Sequence, residues 1–465
     1  MNINDTMKYL NVGLPEDIRR LKDSGDFDGA TRLIDLRLAD ETLPLALRCC
    51  LTAQREMIAR LPEEYPYTRE QALAVVREYI PDYSEEEFER DVALRRIYWI
   101  YNHGEKRYFG RFFSSMCKAV PGFADRACVH VPGAEAAIKG SRDDSLLDTA
   151  AQKMREQSSV TNRIKVRATM RVRDEYFTPG MFLRAHLPIP ADCEQQSDIR
   201  FEKYSPEAII APAYDPRRTI CWEGHFDENP EFVVEYSYLH TAKFHDTDNM
   251  KGDPQQAEFD TEEEYPHVVF TPYIKALVRE LTEGMTDPMD KARAFYDFIT
   301  KNMSYTFMPG YFVLESIPEN CARNFTGDCG VFAMLFLTLC RCAGIPARWQ
   351  SGLTAEPTFC GAHDWVRFYV APHGWLYADC SYGVSAQRIG NEERRKFYFG
   401  NLDPYRMVAN SDLQGNFHIP KDHWRADPCD NQVGEIETAD RGLKYDEFVR
   451  TKEVVFCEEM LNCSF

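Results

Sequence analysis

Three residues of this chain have types and spacing suited to nucleophilic chemistry: Cys329, His363 and Asp379. Cys329 opens the longest apolar run, Cys329-Gly-Val-Phe-Ala-Met-Leu-Phe-Leu-Thr-Leu-Cys340, which ends at the helix stop Gly344-Ile345-Pro346. Asp328 can serve as its N-cap, which puts Cys329 in the first helical turn. Unpaired N–H groups and the helix dipole at that position favour thiolate over thiol. A thiolate works best with a base beside it and a third group that orients the base. The chemistry is acyl transfer: attack on an amide carbonyl, a tetrahedral oxyanion, release of the amine, and a thioester on Cys329. The oxyanion needs donors. One candidate is the Cys329 backbone N–H. The other is a side chain from the preceding loop, for which Tyr305 is the candidate. The plainer reading of Tyr305 is a wall aromatic.

The base and its orienting group must come from a strand pair. His363 opens the β-forming stretch His-Asp-Trp-Val-Arg-Phe-Tyr-Val370, and Asp379 closes Trp375-Leu-Tyr-Ala-Asp379. Ala371-Pro372-His373-Gly374 between them is turn chemistry. The two residues therefore flank a β-hairpin. Their separation is even, so an odd number of loop residues puts both side chains on one face. A three-residue Pro-His-Gly loop would leave Asp379 opposite Arg367. A longer loop or a bulge would bring it nearer His363.

Three blocks carry a family resemblance. Lys291-Ala-Arg-Ala-Phe-Tyr-Asp-Phe-Ile-Thr-Lys-Asn-Met-Ser-Tyr305 is similar to the helix that precedes a nucleophile. Gly327-Asp-Cys329-Gly runs through Gly344-Ile-Pro-Ala-Arg348 to Ser351-Gly352. His363-Asp-Trp365 runs through Gly374-Trp375 to Asp379. In this order they resemble the core of the transglutaminase-like superfamily, over roughly residues 265–385. The resemblance implies a papain-like Cys-His-Asp core with Cys329 as nucleophile, His363 as general base and acid, and Asp379 as the orienting carboxylate. Two positions depart from the family pattern. Asp364 stands where a small residue is usual, and Cys380 where proline is usual. Asp364 either raises the basicity of His363 or, the plainer reading, faces solvent from the other side of the strand.

Size and composition set bounds. A chain of 465 residues implies two to four domains. An apolar fraction of 44% supports a packed core. The net charge of −19 argues against nucleic acid and anionic membrane surfaces as partners. The N-terminus has no hydrophobic signal region and no stretch approaches the length of a membrane span. The 15 cysteines follow no regular framework, so reduced thiols in a cytoplasm are expected. Cys360-x-x-His363 has ligand spacing but lacks two further ligands nearby, and no metal or cofactor is expected.

The expected fold is α+β: a transglutaminase-like (papain-like cysteine hydrolase) core with a helical N-terminal domain and a small β-sandwich-like domain. Residues 1–158 read as a helical accessory domain, including helices over 85–101 and 108–120. Period-two patterns such as Ile164-Lys-Val-Arg-Ala-Thr-Met-Arg-Val172 mark a β-sheet domain over 159–250. The catalytic core spans 251–385, with helices near 271–283 and 288–302. Residues 386–465 read as a C-terminal extension packed on that core.

The function expected is a cysteine hydrolase, a peptidase or amidase acting on an amide-bearing peptide or protein, with the oligomeric state open. Within the superfamily, crosslinking enzymes look like a minority and tend to carry further β-domains after the core. Protein-glutamine γ-glutamyltransferase activity, as crosslinking or deamidation, is the alternative. A catalytically inactive peptide-binding module is another, against which the intact triad argues. An arylamine-type acyltransferase fits less well, because that family places its cysteine early in the chain.

Overall fold

The computed structural model describes residues 1–128 and 145–460. The N-terminal region packs α1 (Glu16–Ser24), α2 (Phe27–Leu38) and α3 (Leu45–Glu64) around Ile18, Ile34 and Leu51. A second cluster, around Phe88, Tyr108 and Met116, joins α4 (Arg69–Tyr79), α5 (Glu85–Ala93), β1 (Trp99–Asn102), β2 (Glu105–Tyr108) and α6 (Phe112–Ala119). Capping boxes start α4 at Thr68 and α5 at Ser84. The expected helix over 85–101 is cut short at Ala93. Trp99-Ile-Tyr-Asn102 pairs instead with Glu105–Tyr108 across His103-Gly104, both at positive φ. That is the two-residue turn whose twist suits a hairpin. The helix expected from 108 accordingly starts later, at Phe112. The last helix of this region is α7 (Ser145–Gln157).

Two four-stranded sheets follow. Six of their eight strands are β3 (Ser159–Val172), β4 (Met181–Pro188), β5 (Gln196–Tyr204), β6 (Ile209–Ile210), β7 (Thr219–Phe226) and β8 (Phe232–Lys243), and the other two come from the C-terminal segment. β3 alternates buried and half-buried side chains over most of its length, as a strand with one face in a core must. Val166, Met170, Leu183, Trp222 and Tyr236 fill the space between the sheets. Each side chain buried this fully contributes roughly 2 kcal/mol of hydrophobic stabilisation.

The core brings α8 (Pro272–Leu281), α9 (Pro288–Asn302), β9 (Ser304–Tyr305), α10 (Ile317–Asn324), β10 (Thr326–Gly327) and α11 (Cys329–Cys342). Strands β11 (Ala347–Glu356), β12 (Phe359–Val370) and β13 (Gly374–Ala378) come next. Then follow α12 (Cys380–Arg388), α13 (Glu392–Phe397), β14 (Phe399–Gly400), β15 (Arg406–Asn410), β16 (Glu435–Glu437) and β17 (Phe448–Glu459). Gly330 through Arg341 of α11 are all buried. An apolar helix of that kind can only be central. It packs against a five-stranded antiparallel sheet in the order β14-β13-β12-β11-β15.

The segment after residue 385 supplies strands to every large sheet. β14 and β15 form the two edges of the core sheet. β16 pairs with β4, and β17 pairs with β3 along nearly its whole length. Leu353, Ala355, Met407 and Ala409 from the core sheet also enter the sandwich core, so the two are continuous. Gly352 permits the junction: a Cβ there would lie 2.0 Å from the Met407 carbonyl oxygen, at a bulge in the β11–β15 ladder. Among the described residues, no helix is long and apolar enough to cross a membrane.

Candidate active site

Cys329 is the first residue of α11, and the Asp328 side chain accepts from the Val331 N–H at 3.2 Å as its N-cap. The Tyr311 hydroxyl donates to the same Asp328 oxygen. Gly330 is small for a reason. A Cβ there would meet the Tyr311 hydroxyl at 2.3 Å and the Asp364 carboxylate at 2.9 Å.

His363 and Asp379 meet across the hairpin. The turn is three residues, Ala371 to His373, with Val370 paired to Gly374 and Val366 to Ala378. Continuing that register by one step sets Asp379 across from Trp365, on the face that carries His363. The expected Pro-His-Gly loop is thus displaced by one residue, which moves Asp379 two positions closer to the histidine than Arg367 would have allowed. The His363 ring then reaches diagonally, and its Nε2 lies 2.7 Å from Asp379 Oδ2. Asp379 is an acceptor, so Nε2 carries the hydrogen and Nδ1 is the basic nitrogen. Trp365 and Tyr382 flank the ring, Tyr382 edge-on at 4.9 Å.

Asp379 is fully buried and fully used. Its Oδ1 accepts from the Tyr382 N–H at 2.9 Å and caps α12. Its Oδ2 also meets Arg406 Nη2 at 3.0 Å. Burial alone would raise the Asp379 pKa, but His363 and Arg406 outweigh it and hold the carboxyl below its ordinary value. Arg406 is itself completely buried between Asp379 and Asp403, against the Tyr382 ring. Sequence reasoning passed over Arg406. It lies on β15, and nothing in Asp403-Pro-Tyr-Arg406 signals which strand it will meet.

Tyr305 sits on β9, pinned by parallel pairing to Thr326-Gly327 just before Asp328 and Cys329. Its hydroxyl contacts the Cys329 thiol. Tyr98 of the N-terminal region bonds Thr326 in the same short ladder.

Two expectations are corrected. Asp364 does not face solvent. It is buried, in contact with the Cys329 thiol, Asp430 and the Gln432 amide. Strand alternation puts Asp364 and His363 on opposite faces of β12: the Asp364 carboxyl lies against the Cys329 thiol, and the His363 ring contacts Asp379, Trp365 and Tyr382. Nor does its position at the helix N-terminus leave Cys329 acidic. Burial, followed by Asp364 and Asp328, pushes the thiol well above its usual range. The dipole of one helix end is outweighed by desolvation next to carboxyl groups. Burial and Asp430 in turn raise Asp364 well above the carboxylate range.

Cys360 and His363 fall on opposite faces of β12, and Cys360 packs against the sandwich core, so they cannot share a ligand. Among the described residues, no group of three or more His, Cys, Asp or Glu could hold a metal ion.

The site thus sets a central helix that begins at Cys329 against an antiparallel sheet that carries the His363–Asp379 pair. The family model of the transglutaminase-like superfamily matches residues 275–380 of this chain. The chain is 28% identical over 122 residues to the uncharacterized protein YebA of Bacillus subtilis (strain 168). That match covers 22% of this chain and 16% of YebA, so the chain spans about a sixth of that relative. Among solved structures, it is similar to a proposed cysteine protease from Cytophaga hutchinsonii, at 15% identity and a TM-score of 0.43 over 66% of this chain and 92% of that one. It is also similar to the periplasmic domain of TgpA from Pseudomonas aeruginosa, at 14% identity and a TM-score of 0.28 over 53% of this chain and 96% of that one.

Proposed function

We propose that this protein is a cysteine hydrolase, a peptidase or amidase that cleaves an amide bond of a peptide or protein through a thioester on Cys329. The observation that carries the reading is the 2.7 Å bond from His363 Nε2 to a buried, ionised Asp379, which leaves Nδ1 as base on the hairpin packed against α11.

In this reading His363 Nδ1 takes the thiol proton as the sulfur attacks the substrate carbonyl carbon. The C=O electron pair moves to oxygen, and the oxyanion accepts from the Cys329 N–H and the Tyr305 hydroxyl. The carbonyl re-forms, the C–N bond breaks, and His363 hands its proton to the departing amine. Water then enters. His363 removes its proton, the oxygen attacks the thioester, and collapse releases a carboxylic acid and the thiol. Asp379 stabilises the imidazolium in both halves and is not itself protonated. Each described cysteine is a free thiol, which fits a reducing, cytoplasmic setting.

Transamidation shares every step up to the thioester, so the test reads the partition. The protein is incubated with a peptide library and a fluorescent primary amine, then acid-quenched for mass spectrometry. A peptide acyl group on Cys329, with new free carboxylates exceeding amine incorporation, is the expected result. Amine incorporation in excess would make the protein a γ-glutamyl transferase. A folded protein that binds peptide and never acylates would be a binding module.

A further inference from the structure

The site has a surplus of carboxyl groups beside its nucleophile, and a thiolate formed there needs a compensating charge. One cation comes from outside the core. On α6 of the N-terminal region, Ser115 and Lys118 share a face with the capping residue Arg111, and all three grip Phe307. The Phe307 N–H donates to Ser115 Oγ at 3.1 Å, and Ser115 Oγ donates to the Phe307 carbonyl at 3.3 Å. The Arg111 guanidinium lies 3.5 Å from the Phe307 ring centroid. Lys118 Nζ lies 4.3 Å from the Phe307 ring and 4.7 Å from the ring of Tyr305, whose hydroxyl contacts Cys329. From the other side, Arg388 of α12 donates to the Lys118 carbonyl at 2.5 Å.

Lys118 is thus fixed with the aromatic faces of Phe307 and Tyr305 for neighbours. Among the described residues, no carboxylate stands within ion-pair distance of it. The charged groups that face it are Cys329 and Asp328 at the start of α11, Arg111 at the head of its own helix and Arg388 on α12. Burial pulls its pKa down to about 8, and of the charged groups Cys329 is felt most strongly. A half-buried ammonium with no permanent counter-ion costs desolvation energy. That cost is recovered only while an anion is present. Besides Asp328, the anions this site offers are transient: the Cys329 thiolate and the oxyanion that follows it.

We propose that Lys118 is a charge-balancing residue of this active site, its ammonium lowering the energy of the Cys329 thiolate and of the oxyanion across the Tyr305 ring, so that the N-terminal helical region completes the catalytic machinery. The inference rests on the cysteine-hydrolase reading and deepens it. Lys118 is not a proton donor in the cycle, and the thiol proton goes to His363. The residue acts through the field it places on Cys329 and not by touching substrate.

The experiment is alkylation of the full-length protein with limiting iodoacetamide from pH 5 to 9, with each cysteine followed by mass spectrometry. Exposed Cys128 serves as the internal reference thiol. Wild type, Lys118→Met, Lys118→Arg and His363→Ala are compared, with thermal melts alongside. Loss of a nearby cation raises a thiol pKa. Lys118→Met should therefore shift the Cys329 labelling profile toward alkaline pH by about one unit and slow labelling at pH 7 roughly ten-fold, with an unchanged melt. Lys118→Arg should restore most of the rate. If Lys118→Met lowers the melting temperature, Lys118→Gln, which keeps a polar end group on a slightly shorter stem, is read in the same way. A Lys118→Met profile that overlays a wild-type profile which His363→Ala slows would overturn the role of Lys118 and leave the hydrolase reading standing. Wild-type Cys329 labelling left unchanged by both Lys118→Met and His363→Ala would remove both.

Discussion

Arg406 Nη2 lies 3.0 Å from Asp379 Oδ2, the same oxygen that accepts from His363. One carboxylate oxygen therefore serves a histidine on β12 and an arginine on β15, and Asp403 shares the arginine. Replacing Arg406 by Met would strand two buried carboxylates. Breaking a buried pair from one side costs about 3–5 kcal/mol. The expected result is a large drop in melting temperature, with activity lost in proportion to folded protein and further reduced because Asp379 no longer stays ionised.

The same network sets an acid limit. Asp379 and Asp403 both have pKa values held below the ordinary 3.8 by their cationic partners, against the opposing effect of burial. A depressed carboxyl contributes stability that is fully present above its unfolded value and is lost as pH falls through its folded one. Denaturant midpoints should therefore be insensitive to this pair above about pH 5 and should fall steadily below pH 3.8. Asp403→Asn should flatten part of that fall.

Removal of the proposed nucleophile or base has a different signature. Cys329→Ala should abolish acylation and leave the melt near wild type, because the thiol is only half-buried. His363→Ala should lower kcat by at least about 10³-fold, measured by amide cleavage at pH 7, since both proton transfers pass through its Nδ1.

Asp364 invites a change of opposite sign to Lys118. It is buried in contact with the thiol, and its negative form raises the thiol pKa. Asp364→Asn removes that charge and keeps an amide for Gln432. The Cys329 labelling profile should move toward lower pH, and a profile that stays in place would show that Asp364 carries no charge over the working range.

Gly330→Ala tests the crowding at the helix start. A methyl group cannot coexist with the Tyr311 hydroxyl at 2.3 Å. Overpacking of this kind costs about 1–3 kcal/mol. Displacement of Tyr311 and Asp364 should also slow Cys329 labelling, whereas Gly344→Ala, at the far end of the helix region, should not.

What the sequence made legible was local. Asp328 as cap and Cys329 as first helical residue follow from residue type and an apolar run. The shared face of His363 and Asp379 follows from parity along a hairpin. The fold of the core was expected from the resemblance over residues 265–385, and the helical and period-two patterns marked only the regions before it. The exact register did not, because a one-residue choice of turn is decided by what packs on both strands. Arg406 and Lys118 were invisible for a stronger reason. Each reaches the site from an element distant in the chain, and no local pattern names a partner. Asp364 was misread because an acidic residue on a strand is usually at the surface, and here Asp430 and Gln432 receive it inside.

The pairing of β3 with β17 also bears on how the molecule comes into being. Val172 and its register partner Phe448 are separated by about 280 residues of chain. At a synthesis rate of about 5–20 residues per second, the outer edge of β3 stays without its partner for about 15 to 55 s on the ribosome. An open edge of alternating apolar residues is a template for pairing with a neighbouring chain. The nascent protein therefore passes through an aggregation-exposed interval whose length is set by translation, and slower elongation through the catalytic region would prolong it.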